Sequence, residues 1–324
     1  MTKRFFPLLS LVLVAALLLT GCGVMAAPAP ESAPLRVEYT IWEGDYTLLI
    51  AQEKGFFEKH GVKVEPVFYE TFSKALPDLS AKKIDAGLFA IGDTLLVSRY
   101  TDVKAVMMYD SGGASTLVAR KGISNVLALR GKRVGVPIGT YSELYIRNVL
   151  QEAGLTVKDV TLVDVDPEEV PSRLSEDIEA GYVWSPLDQE AQKNGHKVLV
   201  TSSAVDKMFP DLVVFRADVV EERPEDVRAF IAAWFEALEY RLAHPEESNA
   251  MIARITNQTV EDLASSGKVR LYNQADNQLY YDRVTSRYRS IFTAARVNLN
   301  FMTSRGNLTV APDLETILDP SFLP

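Results

Sequence analysis

Lys132-Arg133-Val134-Gly135-Val136-Pro137-Ile138-Gly139-Thr140-Tyr141-Ser142 reads as a short strand running through a turn into a helix. Val134 and Val136 alternate as on a buried strand. Beyond the turn, Ile146, Val149, Leu150 and Ala153 recur at helical spacing, and Gly154 supplies a stop. The first amides of such a helix have no partner within it and carry a partial positive charge. Two readings stay open at this point. Either a ligand's acidic group meets those amides, or Thr140 or Ser142 caps the helix.

The same strand–turn–helix rhythm extends in both directions. Upstream, Leu35–Ile41, Val62–Phe68, Ile84–Phe89 and Val103–Tyr109 read as strands. Helices Tyr46–Phe57 and Phe72–Ala81 and a helix ending at Arg99 lie between them. Ser115–Ala119 reads as a strand leaving this unit. Downstream come helix Ile123–Leu129, strand Arg133–Val136, helix Tyr141–Ala153, strand Val160–Val163, helix Glu168–Ser175, strand Ile178–Val183, helix Leu187–Lys193 and strand Lys197–Val200. Leu212–Phe215 reads as a strand returning to the first unit. From Pro224 the pattern is helical: Glu225–Leu242, Pro245–Thr256, Val260–Ser265 and about Gln278–Phe301.

Strands alternating with helices predict an α/β protein with parallel, doubly wound sheets. The order predicts two lobes joined by two crossings, residues 35–116 with 211–324 and residues 117–210. A helical C-terminal extension is expected to pack on the first lobe, with Pro312–Phe322 as a closing strap. Such lobes can hinge, and ligands lie beyond the carboxyl ends of the strands. Those ends are Trp42-Glu43-Gly44, Ala90-Ile91-Gly92, Ser111-Gly112, Gly139–Ser142 and Trp184-Ser185-Pro186.

The 324 residues suffice for two ordinary domains, and 47% hydrophobic with 24% charged residues is a globular composition. The formal charge of −9 and the absence of a basic patch argue against nucleic acid as a partner. Lys3 and Arg4 precede the apolar run Phe5–Leu19, which is short for a membrane span. It ends in Leu19-Thr20-Gly21-Cys22, which resembles a bacterial lipobox. Residues 1–21 are therefore expected to be a lipoprotein signal peptide and Cys22 the lipidated residue. The Ala/Pro-rich stretch to Pro34 reads as a flexible tether. A single cysteine forms no internal disulfide or multi-cysteine metal site.

An enzyme would need other residues. His60, His196 and His244 show no metal-ligand spacing with one another, and no G-x-S-x-G motif or P-loop occurs. No nucleophile–base pair emerges, so no catalytic residue, metal or cofactor is expected.

Several segments resemble one family. Gly55-Phe56-Phe57-Glu58-Lys59-His60-Gly61-Val62 is similar to a segment of extracytoplasmic solute-binding proteins, as are Ile84-Asp85-Ala86-Gly87 and Gly131-Lys132-Arg133-Val134-Gly135-Val136. Ile178–Pro186, followed by Asn194–Leu199, resembles the taurine- and nitrate-type receptors, and Arg223-Pro224-Glu225-Asp226-Val227 follows in the family order. The resemblance to the SsuA/THI5-like substrate-binding family covers about Val37 to Leu242. It implies a type II periplasmic-binding-protein fold and service to an ABC permease, by a monomer held outside the membrane through its lipid.

The resemblance also implies site residues. Thr140, Tyr141 and Ser142 fall where taurine-type proteins offer hydroxyls and amides to a sulfonate. Glu143 is a departure, because an acid there repels an anion. Ala90, Ile91 and Gly92 would offer backbone amides. Asp211 aligns with the aspartate that meets an ammonium, with Glu43 as a second acid, while Asp93 reads as a helix cap. Ser111 lies just beyond the strand Val103–Tyr109, at one of the ends expected to face the ligand. Trp42 and Trp184 sit where strand meets loop and would exclude water or stack on a ring. The implied ligand is a small anion or zwitterion of the taurine and aliphatic-sulfonate class. Glu43, Asp93, Glu143 and Asp211 equally suit an amine-bearing heterocycle such as a thiamine pyrimidine precursor. Nitrate is a further alternative, and an exported enzyme on the same fold a remote one.

Overall fold

The computed structural model describes residues 33–111, 115–201, 210–266, 269–282 and 290–324. The expected leader and Cys22 lie outside them. The chain runs β1 (Leu35–Tyr39), α1 (Tyr46–Glu53), α2 (Phe56–Lys59), β2 (Val64–Phe68), α3 (Ala75–Ser80), β3 (Ala86–Ala90), α4 (Ile91–Val97) and β4 (Val103–Ser111). It continues as β5 (Thr116–Ala119), β6 (Arg133–Gly135), α5 (Tyr141–Glu152), β7 (Thr161–Val163), α6 (Val170–Arg173), β8 (Ala180–Val183), α7 (Leu187–Lys193) and β9 (Lys197–Thr201). Then β10 (Pro210–Arg216) leads into α8 (Ala217–Glu222), α9 (Pro224–Ala243), α10 (Pro245–Thr256) and α11 (Val260–Ser266). The chain finishes with β11 (Arg270–Leu271), α12 (Gln274–Tyr281), α13 (Ile291–Ser304) and α14 (Leu314–Ile317).

Two sheets result, ordered β11-β4-β10-β3-β1-β2 and β7-β6-β8-β5-β9. The expectation of parallel sheets needs correcting at the crossings. β1 pairs parallel with β2 and β3, and β6 with β7 and β8. β10, however, lies antiparallel between β3 and β4, and β5 antiparallel between β8 and β9. A strand arriving from the other lobe enters at the end where its neighbours leave, so it runs against them. β10 is buried on both faces, and its residues alternate between them. Leu212 and Val214 join one hydrophobic cluster, Val213 and Phe215 the other.

On the second of these faces α9 inserts Trp234, with its ring 5.5 Å from Tyr109 and 5.9 Å from Phe230. The other lobe has its own core, with Tyr145, Ile146 and Leu150 of α5 packed on the sheet. The expected helix Tyr46–Phe57 is broken at Gly55, whose φ of 70° is left-handed and suits glycine. The expected helix Gln278–Phe301 is two, α12 and α13, with 283–289 outside the described residues.

At the C-terminus, Leu318 bridges to Ala105 of β4, and the Asp319 amide donates to the Ala105 carbonyl at 3.0 Å. The extension also reaches the lobe of β6. Arg305, just after α13, pairs with Glu143 of α5 at 3.1 Å, and the guanidinium of Arg147 lies 5.9 Å from the Phe301 ring. The extension therefore touches both lobes, beyond the packing on the first lobe expected from the sequence.

Candidate functional site

Between the sheets, at the carboxyl ends of β1, β3, β6 and β8, is a cavity of about 110 Å³. That is of the order of the ~150 Å³ void that admits benzene. Trp42, Ala90, Thr140, Tyr141, Ser142, Trp184 and Asp211 all line it. Residues the sequence reading did not nominate also face it, among them Asp45, Phe72, Tyr109, Ser115 and Glu168.

The walls are aromatic. Phe72, from one lobe, meets Trp184, from the other, edge to face at 6.3 Å. Trp184 also lies 6.3 Å from Tyr182. The Trp184 indole Nε1 is buried and donates to no acceptor among the described residues. Trp42 is held by a hydrogen bond from its Nε1 to Asp110 Oδ2 at 2.7 Å. A chain of hydroxyls joins Tyr141, Tyr182 and Ser115, at 2.9 Å and 3.1 Å.

The floor is acidic. Asp45 receives the Thr40 amide and hydroxyl on Oδ2, at 2.8 and 2.9 Å, and the Tyr109 hydroxyl on Oδ1 at 2.9 Å. Even so, burial pushes it up to about 8. Asp93 is 3% exposed and receives no hydrogen bond from a described residue; burial pushes it up to about 7. It does not cap its helix, correcting the expectation, because its carboxyl faces the cavity instead. Asp211 stands opposite Asp110 across the β4–β10 pairing, near enough for each carboxyl to act on the other's charge. Burial pushes Asp110 up to about 6, and burial with the Asp110 charge holds Asp211 well above the carboxylate range. Among the described lining residues there is no lysine, arginine or histidine.

Four nominated residues lie away from the cavity lining. Glu43 faces Arg241 of α9 at 3.7 Å, because the turn after Trp42 directs it into the lobe. Ile91 is fully buried in a core cluster. Gly92 is a packing contact: an added Cβ would stand 3.0 Å from Tyr141 Cβ and from Met302 Cε, so glycine lets α4 approach α5. Ser111 bonds the Tyr272 hydroxyl at 2.7 Å.

At the helix start the capping reading holds. Thr140 Oγ1 accepts the Ser142 amide at 3.2 Å and donates to the Pro137 carbonyl at 2.8 Å. The Gly139 amide donates to Glu143 at 2.8 Å. Glu143 is fully buried and neutralised by Arg147 and Arg305, so it completes the helix terminus from within the protein. The Ser142 amide, one of those expected to meet a ligand anion, is thus already engaged by the cap.

These acids set a pH dependence of stability. In the folded protein Asp45, Asp93 and Asp110 hold protons at pH values where the unfolded chain has lost them. The folded state then binds more protons, and stability falls as pH rises from about 4 towards about 8. The thermal midpoint of ligand-free protein is expected to drop by several degrees between about pH 5 and about pH 8 in scanning calorimetry. A midpoint that rises over that range removes the protonated cluster.

The profile of the family described as NMT1/THI5 like matches residues 45–248. A Brucella abortus protein described as a binding protein is 31% identical over 247 residues, 74% of this chain and 77% of that one. A Bacillus subtilis protein described as aliphatic sulfonates-binding is 29% identical over 251 residues, 74% of this chain and 75% of the relative. Among solved structures, the ligand binding component of an ABC-type import system from Staphylococcus aureus aligns with a TM-score of 0.74. It covers 90% of this chain and 98% of its own at 15% identity, a likeness of fold. These relatives and neighbours are binding proteins, and the fold they share is two-lobed.

Proposed function

This chain belongs to the NMT1/THI5-like family, and we propose that it is an extracytoplasmic receptor that captures a small cationic or amine-bearing nitrogen heterocycle for an ABC importer. One observation carries the ligand class. The ionisable acids and bases of the described lining are all carboxylic (Asp45, Asp93, Asp166, Glu168 and Asp211), set among hydroxyls of serine, threonine and tyrosine, and no basic side chain faces the cavity among the described residues. A sulfonate or nitrate buried there would find no counter-ion among the described lining residues, which is costly in a dry site. A protonated ring nitrogen or amine would meet Asp211 and Asp93 through charge-assisted bonds. Its flat face suits the indoles of Trp42 and Trp184, and an acceptor on its far edge suits the free Trp184 N–H. The size of the cavity fits one ring, as in a thiamine pyrimidine precursor.

Capture would work by closure. Phe72 and Ser73 bond across the cleft to Glu168 and Asp166, at 3.3 and 3.1 Å, so both lobes contribute to the enclosure. A ligand touching both lobes binds the closed form better than the open one and shifts the population towards it. In this reading the lipid on Cys22 tethers a monomer beside its permease.

The taurine and sulfonate reading keeps the support of the Bacillus subtilis relative, so the test sets the two against each other. Folded protein is titrated calorimetrically with 4-aminopyrimidine, 4-aminopyridine, taurine, methanesulfonate and nitrate. The bases are expected to bind and to quench tryptophan fluorescence, the anions to do neither. Binding of taurine or methanesulfonate without binding of either base overturns the proposal.

A further inference from the structure

We infer that the receptor takes up its cation in exchange for a proton, which the Asp110–Asp211 pair holds while the cavity is empty and releases when the cation arrives. The inference rests on the cationic reading of the ligand and adds a stoichiometry to it. Asp110 is fully buried and Asp211, opposite it across the strand pairing, is partly buried; two carboxyls so placed do not readily both ionise without a cation beside them.

Each packed element adds to the charge inventory. From β1, Glu38 is fully buried and accepts the Leu88 amide at 2.9 Å. The turn after Trp42 adds Glu43 and Asp45, and α4 adds Asp93. β4 contributes the Tyr109 hydroxyl, already committed to Asp45, and the far lobe contributes Tyr141 and Tyr182. Burial keeps these phenols neutral. Against the acids stands the guanidinium of Arg241 on α9, whose NH1 also donates to the Glu43 carbonyl and Thr47 hydroxyl, at 3.1 and 3.2 Å. The balance leaves the pair short of positive charge, and a shared proton makes up the difference.

The exchange conserves charge. The cation's N–H or ring edge meets the Asp211 carboxylate, the proton between Asp211 and Asp110 passes to water, and the buried charge is unchanged. Asp110 then keeps the Trp42 N–H as its donor. Affinity therefore rises with pH, the direction that follows when the empty state binds the extra proton.

The probe is 4-amino-1-methylpyridinium, whose charge is independent of pH. Calorimetric titration of the whole protein near neutral pH, in buffers of different ionisation enthalpy, is expected to give about one proton released per cation bound. The association constant is expected to rise by up to about tenfold per pH unit on the acidic side. In Asp110→Asn the Trp42 N–H can donate to the amide oxygen while the amide N–H₂ donates to Asp211, which then ionises without help. This variant is expected to bind the cation while releasing well under one proton, with a flatter pH profile. Asp93→Asn, a change outside the pair, is expected to weaken binding and keep the release near one proton. Cation binding without proton release in the wild type overturns this inference alone. So does undiminished release from a folded Asp110→Asn. If folded wild-type protein binds no cationic probe at all, the ligand class falls and this inference with it. Should Asp110→Asn fail to fold, the wild-type proton count decides.

Discussion

Asp211→Asn is expected to weaken binding of 4-aminopyridine, which is protonated near neutral pH, by at least about a hundredfold. Removing one partner of a buried, hydrogen-bonded charge pair costs about 2–5 kcal/mol, or about thirtyfold to several thousandfold in affinity. Asp211 is the member of the carboxyl pair that lines the cavity, with Ala90 on one side and Asp110 on the other in the sheet. Asparagine keeps its shape and removes its negative charge. The fold should survive, because the change also relieves the buried Asp110 of an acid opposite it in the sheet. The informative outcome is a thermal midpoint equal to or above wild type alongside the lost binding. A dissociation constant within about threefold of wild type would instead mean that the cation sits elsewhere in the cavity.

The second large effect is expected at Gly44. A Cβ there would stand 1.6 Å from Asp110 Oδ2 and 2.6 Å from Trp42 Nε1, the two atoms of the bond that holds the Trp42 ring against the cavity. Asp110 and the indole cannot both keep their places in Gly44→Ala. Overpacking of this kind costs about 1–3 kcal/mol, and here it also separates a buried carboxyl from its donor. Chemical denaturation is expected to show the loss of stability. Titration with 4-aminopyridine is expected to show weaker binding and little fluorescence quenching, since Trp42 no longer faces the ring. A variant of wild-type stability and affinity would mean that Trp42 and Asp110 are free to rearrange and that their bond does not shape the site.

Much of this site was legible as position along the chain. Trp42, Trp184 and Asp211 follow or begin strands at the ends where such sheets bind ligands, and all three face the cavity. Position alone does not give direction. Asp93 sits in the first turn of a helix, where an aspartate ordinarily caps, yet its side chain turns inward. Ile91 and Ser111 sit at equally suitable strand ends and turn away, one into the core and one towards Tyr272. The acid pair was illegible for another reason. Asp110 lies within the strand Val103–Ser111, and only the pairing of β10 with β4 sets Asp211 against it. In the sequence Glu143 looks like a charge opposing an anion, because Arg305, which neutralises it together with Arg147, comes from the far end of the chain. Local patterns gave the elements and their order. Contacts between distant segments decided which groups became the site.

β10 follows the segment that returns from one lobe to the other, and Asp211 is its second residue. Ser115, just before β5 on the outgoing path, also faces the cavity. Both residues therefore stand beside the two crossings between the sheets. Under the proposed function, a change in the angle between the lobes would displace them directly, so that sensing and shutting become one mechanical event.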